Sequence, residues 1–310
     1  MEKRNLYIVI AVVAIVLVAG VAATLTMNNS SSKTKTKVSE IGSDTMLELM
    51  QLTAEDFNAG SSNASVSITG GGSGVGITRL IEGSTDVAQA SRAMTDAEKQ
   101  NAISNGVDPV EFKVAVDGIA LITNKGNTVT ELTLDQLAKI YNGTFTNWNQ
   151  VGGADRAIVL YGRQPTSGTY QYFEEVVLKK GKVGGSDYAA SMKQQTGNQQ
   201  ILSQVEQDAG AIGYVGVGYA KQGADSIHVL DLKKNSTTPA YNALDQNAVL
   251  NQSYALARYL YLYTDGTPTG AVRDWMNFVL STDGGQKIAA DAGFYALPAD
   301  VQQAMIAKLG

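Results

Sequence analysis

The sequence predicts an α/β protein folded as two lobes, and three observations carry that expectation. At 310 residues and 44% apolar content the chain can fill two cores, at roughly 100–200 residues per domain. Its 32 glycines against only 5 prolines describe a globular chain with many tight turns. Short apolar runs are followed by glycine- or hydroxyl-rich turns and then by amphipathic stretches, the pattern of strands feeding helices. No internal repeat is present.

Composition closes several kinds of chemistry. A net charge of −5 with dispersed lysines argues against nucleic acid, which demands a concentrated basic surface. A small anion remains open, because local dipoles capture it whatever the net charge. With no cysteine and one histidine there is no Cys/His zinc site, no disulfide framework and no thiol nucleophile. A serine triad would have to use His228, which sits in a plain Ser-Ile-His-Val-Leu strand.

The elements follow in order. Lys3 and Arg4 precede an uncharged apolar run at 6–27, long enough to cross the ~30 Å hydrocarbon core as a helix. Residues 1–27 are therefore read as a membrane anchor or a signal; retention is favoured, and Ala19-Gly20-Val21-Ala22-Ala23 keeps cleavage open. Residues 28–37 are polar, then basic, and read as a flexible tether. A strand at Val38-Ser39-Glu40-Ile41 leads through Gly42-Ser43-Asp44-Thr45 into a helix that Ser43, Asp44 or Thr45 would cap. A second strand, Val66-Ser67-Ile68, runs into the glycine-rich turn 70–76, which lacks the Gly-Lys-Ser/Thr end of a nucleotide loop. Its glycines would let amides and Ser73 approach a small ligand.

A third strand ends at Ser91, and Thr95 with Glu98 forms a capping box beyond it. The long strand 112–124 is expected to break at Asp117-Gly118, where a carboxylate in so apolar a run is either paired or functional. Thr133 caps an amphipathic helix to Tyr141, and Trp148 is expected to pack under a turn. The stretch Leu160 to Phe173 then reads as an anion cradle. A strand stops at Pro165, Ser167 or Thr166 caps a helix, the free amides lie at Gly168 and Thr169, and Arg163 stands at the strand end. Such a cradle needs no metal and no cofactor. Strands at 210–216 and 259–263 and helices at 271–280 and 285–292 complete the reading.

Gly42-Ser43-Asp44-Thr45, the 70–76 turn, Ala90-Ser91-Arg92, Val116-Asp117-Gly118-Ile119-Ala120, Leu134-Asp135-Gln136-Leu137 with Thr146-Asn147-Trp148, Arg163 with Ser167-Gly168-Thr169, and Gly210-Ala211-Ile212-Gly213-Tyr214 occur in this order. As an ordered set they resemble the phosphate-binding proteins of high-affinity phosphate ABC transporters, over nearly all of 38–298. The resemblance implies a type II two-lobed periplasmic-binding-protein fold crossed twice by the chain, with one lobe from 38–116 plus 254–310 and the other from 117–253. It places Thr45, Ser73 and Ser91 on one lobe and Arg163, Ser167, Gly168 and Thr169 on the other. Some family members carry an aspartate directly after the Ala-Ser of the fourth turn, where this chain has Arg92. Asp117, ranked first, or Asp44 must then supply the carboxylate that accepts the proton of a phosphate and repels sulfate.

The implied function is extracytoplasmic capture of inorganic phosphate for an ABC importer, without catalysis. The expected partners are phosphate, the permease subunits and, through the N-terminal run, the membrane; the chain is expected to be a monomer. Three alternatives stay open: another oxoanion such as sulfate, molybdate or tungstate, a serine-dependent phosphohydrolase, and a surface phosphate sensor.

Overall fold

The computed structural model describes residues 35–179 and 185–310, and the apolar run at 6–27 and residues 28–34 of the tether lie outside them. Among the described residues no helix is long and apolar enough to cross a membrane. In chain order the elements are β1 (Thr36–Gly42), α1 (Leu47–Gly60), β2 (Ala64–Thr69), α2 (Ser73–Ile81), β3 (Val87–Ala90), α3 (Asp96–Ser104), β4 (Pro109–Asn124), β5 (Glu131–Thr133) and α4 (Leu134–Tyr141). There follow β6 (Val159–Arg163), α5 (Gly168–Phe173), β7 (Lys193–Gln195), α6 (Asn198–Gln207), β8 (Ala211–Gly216), α7 (Val217–Gln222), β9 (Ile227–Lys233) and β10 (Ala240–Tyr241). The last are α8 (Gln246–Leu250), β11 (Ala257–Asp265), α9 (Gly270–Leu280), α10 (Lys287–Asp291) and α11 (Ala299–Ala307). β1 begins at Thr36, inside the stretch read as tether.

The strand order β2-β1-β3-β11-β4-β8-β6-β7 divides at β4. In the first half β1 runs parallel to β2 and β3, and β11 is antiparallel to β3 and to the leading part of β4. In the second half β8 and β9 are antiparallel to the trailing part of β4, and β6 is parallel to β8 and β7. The exchange of partners is abrupt: Gly118 is still opposite Ala257 of β11, whereas Ile119 is already opposite Gly216 of β8. β4 itself is continuous across this point, which corrects the expected break at Asp117-Gly118. The carboxylate does not interrupt the strand because it has a buried cationic partner, Arg258 on β11.

The burial of β4 explains its sequence. From Val114 to Thr123 every residue is buried, so the strand reads as an apolar run and not as an alternation, as strands covered on both faces do. Where the sequence named a cap, most helix starts follow it. Thr95 and Thr133 both form capping boxes, with Glu98 and Gln136, and Ser167 accepts from the Thr169 and Tyr170 N–H groups at the start of α5. α1 is the exception: Met46 precedes it with no side-chain cap, so none of Ser43, Asp44 and Thr45 plays the expected part. Asp44 accepts instead from the Gly71 N–H at 2.8 Å, and Thr45 points its hydroxyl elsewhere. Near the C-terminus the helix expected at 285–292 is confined to α10, because a five-residue π turn with non-helical Gly284 occupies Thr282–Gln286.

Packing behind the sheet is aromatic. Trp275 of α9 is fully buried against Phe57 and donates its Nε1–H to Glu40 of β1 at 2.7 Å. Burial pushes the Glu40 carboxyl up to about 8, with the Trp275 hydrogen bond opposing it only partly. In the second half Trp148 is buried under the turn it was expected to support, its Nε1–H donating to Gly210 O at 2.9 Å.

Candidate functional site

All nine residues singled out by sequence converge where the two halves meet at β4. Asp44 and Thr45 lie in the turn after β1, Ser73 opens α2, and Ser91 follows β3 directly. These are strand carboxyl ends and helix amino ends of the first half, the edge at which open α/β sheets hold ligands. Arg163 ends β6, Ser167 caps α5, and Gly168 and Thr169 are the first residues of that helix, facing them from the second half. Asp117 sits on β4 one residue before the exchange of partners.

Contacts across the junction are direct. Thr45 Oγ1 and Thr169 Oγ1 share a hydrogen bond of 2.7 Å, and Arg163 Nη2 donates to Asp44 Oδ2 at 2.8 Å. Gly168 presses on the serines of the first half: a Cβ there would lie 2.8 Å from Ser91 Oγ and 2.9 Å from Ser73 Cβ. Those serines hold each other, the Ser91 N–H donating to Ser73 Oγ at 3.0 Å. Beside them the Gly74 N–H donates to Thr166 O at 3.2 Å, and at Gly72, where φ is +99°, a Cβ would strike the same carbonyl. Glycine is required there on both counts.

Two ion pairs frame the cluster. The Arg163 guanidinium is 1% exposed, and Nη2 also donates to Thr196 O at 2.9 Å, while Nε and Nη1 are buried without a partner. Burial pushes this guanidinium down, and Asp44 opposes the shift. Arg258 of β11 donates through Nε and Nη2 to Asp117 Oδ2 at 3.0 and 2.8 Å and through Nη2 to Thr169 Oγ1 at 2.8 Å. Its Nη1 is likewise buried without a partner. Asp117 Oδ1 accepts from the Val217 N–H of α7 at 2.9 Å.

Buried donors without acceptors are rare, because each costs its full desolvation penalty. Here Arg163 Nε and Nη1, Arg258 Nη1 and Asn198 Nδ2 all belong to this region, with Ser43 Oγ beside them. They form a buried set of N–H and O–H groups whose two formal cations are already matched by two carboxylates. Such a set suits an oxoanion that accepts many hydrogen bonds. Among the described residues no group of His, Asp and Glu is arranged to hold a metal ion.

Sequence reasoning missed Arg258. A signal was present: it is the one charged residue in the apolar and aromatic run Ala257 to Tyr263, as Asp117 is in its own strand. Asn198 and Ser43 were also missed and carry no comparable mark. Arg92, expected at the same edge, is turned to Glu98, with Nη1 and Nη2 at 2.7 and 2.6 Å from its two oxygens, and its Nε meets Gln171 of α5. His228 lies in β9 opposite Thr123, in a sheet position away from the cluster.

Residues 28–283 match the model of the PBP superfamily domain. The phosphate-binding protein PstS of Pseudomonas aeruginosa is 32% identical over 290 residues, 88% of this chain and 87% of that protein. PstS of Staphylococcus saprophyticus is 34% identical over 83% of this chain and 79% of its own length. A phosphate-bound crystal structure from Clostridium perfringens, described as that of a phosphate ABC transporter substrate-binding protein, is 32% identical with a TM-score of 0.72, covering 84% of this chain and 100% of that one. An ABC-type phosphate transport receptor from Vibrio cholerae is 28% identical with a TM-score of 0.67, covering 84% and 100%. The chain belongs to the PBP superfamily, with the two-lobed α/β fold of its phosphate-binding members.

Proposed function

We propose that this chain captures inorganic phosphate as the substrate-binding protein of an ABC-type importer. The observation that supports it most is the convergence of Thr45, Ser73, Ser91, Arg163, Ser167, Gly168 and Thr169, with buried unpartnered guanidinium N–H groups, at the junction of two half-sheets. Relatives of one third identity that carry the phosphate-binding name support the choice of anion. The two halves act as lobes, 38–116 plus 254–310 and 117–253, and the partner exchange on β4 is the first crossing between them. Closure brings α5 onto the Ser73 and Ser91 turns around the ligand.

Asp117 is the carboxylate that reads the ligand's proton, with Asp44 second. Asp117 is fully buried at the crossing, whereas the Asp44 side chain is 21% exposed and pairs with Arg163. An ionised carboxylate accepts from a protonated phosphate and leaves fully ionised sulfate unpaired and repelled. The protein works outside the cytoplasm as a monomer, held near its permease by the N-terminal run, and catalyses nothing. Calorimetric titration of Asp117→Asn and Asp44→Asn with phosphate and sulfate at constant salt tests the assignment. Asp117→Asn is expected to lose phosphate affinity and gain relative affinity for sulfate. A shift confined to Asp44→Asn would reverse the two residues, and no shift in either would remove the argument for phosphate over other oxoanions.

A further inference from the structure

We infer that Arg258 is a specificity-determining residue: by pairing with Asp117 it holds that carboxylate in its ionised form, and so sets which protonation form of a tetrahedral oxoanion the cradle accepts. This rests on the reading of Asp117 as the group that meets the ligand's proton. Its own basis is geometric. Asp117 has no solvent exposure, yet both oxygens are occupied by donors, Oδ2 by Arg258 Nε and Nη2 and Oδ1 by the Val217 N–H. None of these partners accepts a hydrogen bond, so a proton on Asp117 would have nowhere to go.

Two effects oppose each other at Asp117, and Arg258 supplies the larger part of one. Burial pushes the Asp117 carboxyl up, and Arg258 with the Val217 and Gly118 N–H groups pulls it back, the net direction being up. The other titratable groups facing Asp117 are Tyr172 from α5, Lys221 from α7, Tyr254 before β11 and Tyr295 after α10. All three tyrosines have their hydroxyls committed to backbone carbonyls, Tyr172 to Ala257, Tyr254 to Ile119 and Tyr295 to Ala243. Lys221 sits over the Tyr295 ring at 4.1 Å and makes no ion pair with Asp117. Among the described residues Arg258 is the cation that forms an ion pair with the carboxylate.

The position of Arg258 also ties that charge to the closed cleft. The same Nη2 that holds Asp117 donates to Thr169 Oγ1, which is bonded to Thr45 Oγ1, so the guanidinium reaches from β11 through the carboxylate to the helix of the opposite half. The Tyr172 ring lies over its Cζ, with the centroid 5.6 Å away. Without the cation a carboxylate in this place takes up a proton, because an isolated buried charge is far costlier than a neutral acid. A protonated Asp117 donates where it formerly accepted, and the preference for a protonated ligand inverts.

The full 310-residue chain and its Arg258→Gln, Arg258→Lys and Asp117→Asn forms would be titrated with phosphate and with sulfate at pH 6 and pH 8. The Asp117 carboxyl carbon would be followed by NMR in the ligand-free protein, assigned by its loss in Asp117→Asn. For Arg258→Gln the phosphate-to-sulfate affinity ratio is expected to fall at least tenfold at pH 6 and to climb with pH, and the Asp117 signal to titrate at higher pH than in the parent. Arg258→Lys, which keeps the charge, is expected to hold the ratio within about threefold. A flat loss of affinity for both anions with the ratio kept, or an unmoved Asp117 titration, would overturn the inference and leave Arg258 a structural or plain charge-supplying residue. If Asp117→Asn itself leaves the ratio unchanged, the reading of Asp117 fails, while the NMR titration still decides what Arg258 does to its charge. Should Arg258→Gln fail to fold, the double form Asp117→Asn/Arg258→Gln buries no unpaired charge and is expected to share the ratio of Asp117→Asn; a parental ratio in the double form would also overturn the inference.

Discussion

Replacing Gly168 by alanine tests the closed cleft with the smallest possible change. Gly168 is the first residue of α5 and has no left-handed backbone requirement, so alanine fits the helix and is intrinsically favoured there by up to about 1 kcal/mol. The added methyl nevertheless lands 2.8 Å from Ser91 Oγ and 2.9 Å from Ser73 Cβ, nearer than real Cβ contacts come. Both serines are fully buried and tied to each other, so they have little room to give. Overpacking of this kind costs about 1–3 kcal/mol. Because it arises only when α5 meets the first half, the cost falls on closure and appears as a phosphate Kd raised roughly 5- to 150-fold. Isothermal titration measures the affinity, and thermal melting of the ligand-free chain measures the fold. Weakened binding with a nearly unchanged melting temperature is the expected pair of results. Unchanged affinity, or a loss of fold stability as large as the loss of affinity, would refute the idea that α5 closes on Ser73 and Ser91.

Other residues give independent checks. Arg163→Lys is expected to weaken phosphate binding by at least ~1 kcal/mol, since a point charge cannot serve Asp44, Thr196 O and a ligand from one planar fork; titration showing full affinity would place Arg163 outside the contact set. Thr45→Val removes one partner of the 2.7 Å contact with Thr169 and is expected to cost about 1 kcal/mol of binding, read in the same assay, with equal affinity counting against it. Glu40 bears on stability. Its carboxyl rises from 4.5 unfolded to about 8 folded, so the folded state holds the extra proton and the stabilisation is lost as pH climbs between those values. Denaturant unfolding of the parent is expected to lose roughly 2–3 kcal/mol from pH 6 to pH 9, at 1.36 kcal/mol per unit, and Glu40→Gln to lose far less. Parallel pH profiles for the two would show that Glu40 does not titrate in this range.

The amide expected free at Thr169 is taken by the capping serine, but the strand end, the proline and that serine between Arg163 and Thr169 were legible because they are neighbours in sequence. The same holds for the capping boxes at Thr95 and Thr133 and for the apolar length of β4. What escaped depends on partners distant in the chain. Asp117 looked like a strand break because its cation, Arg258, stands 141 residues away on an antiparallel neighbour. The turn Gly42 to Thr45 offers three plausible caps for α1, yet tertiary demands win. Asp44 is drawn off by Gly71 and Arg163, and Thr45 by Thr169. Arg92 lies at the expected edge, but Glu98, already fixed as the third residue of its capping box, is close enough to claim it. Local chemistry thus placed most of the cluster, and long-range ion pairing decided which charges it spends internally.

The central claim is that these groups hold phosphate, and calorimetry on the full chain in the presence of a metal chelator tests it most directly. One phosphate is expected to bind per chain, more tightly than sulfate, with no requirement for metal and no release of phosphate from a simple ester. Absence of phosphate binding, a preference for sulfate, or ester turnover abolished by Ser167→Ala would contradict it.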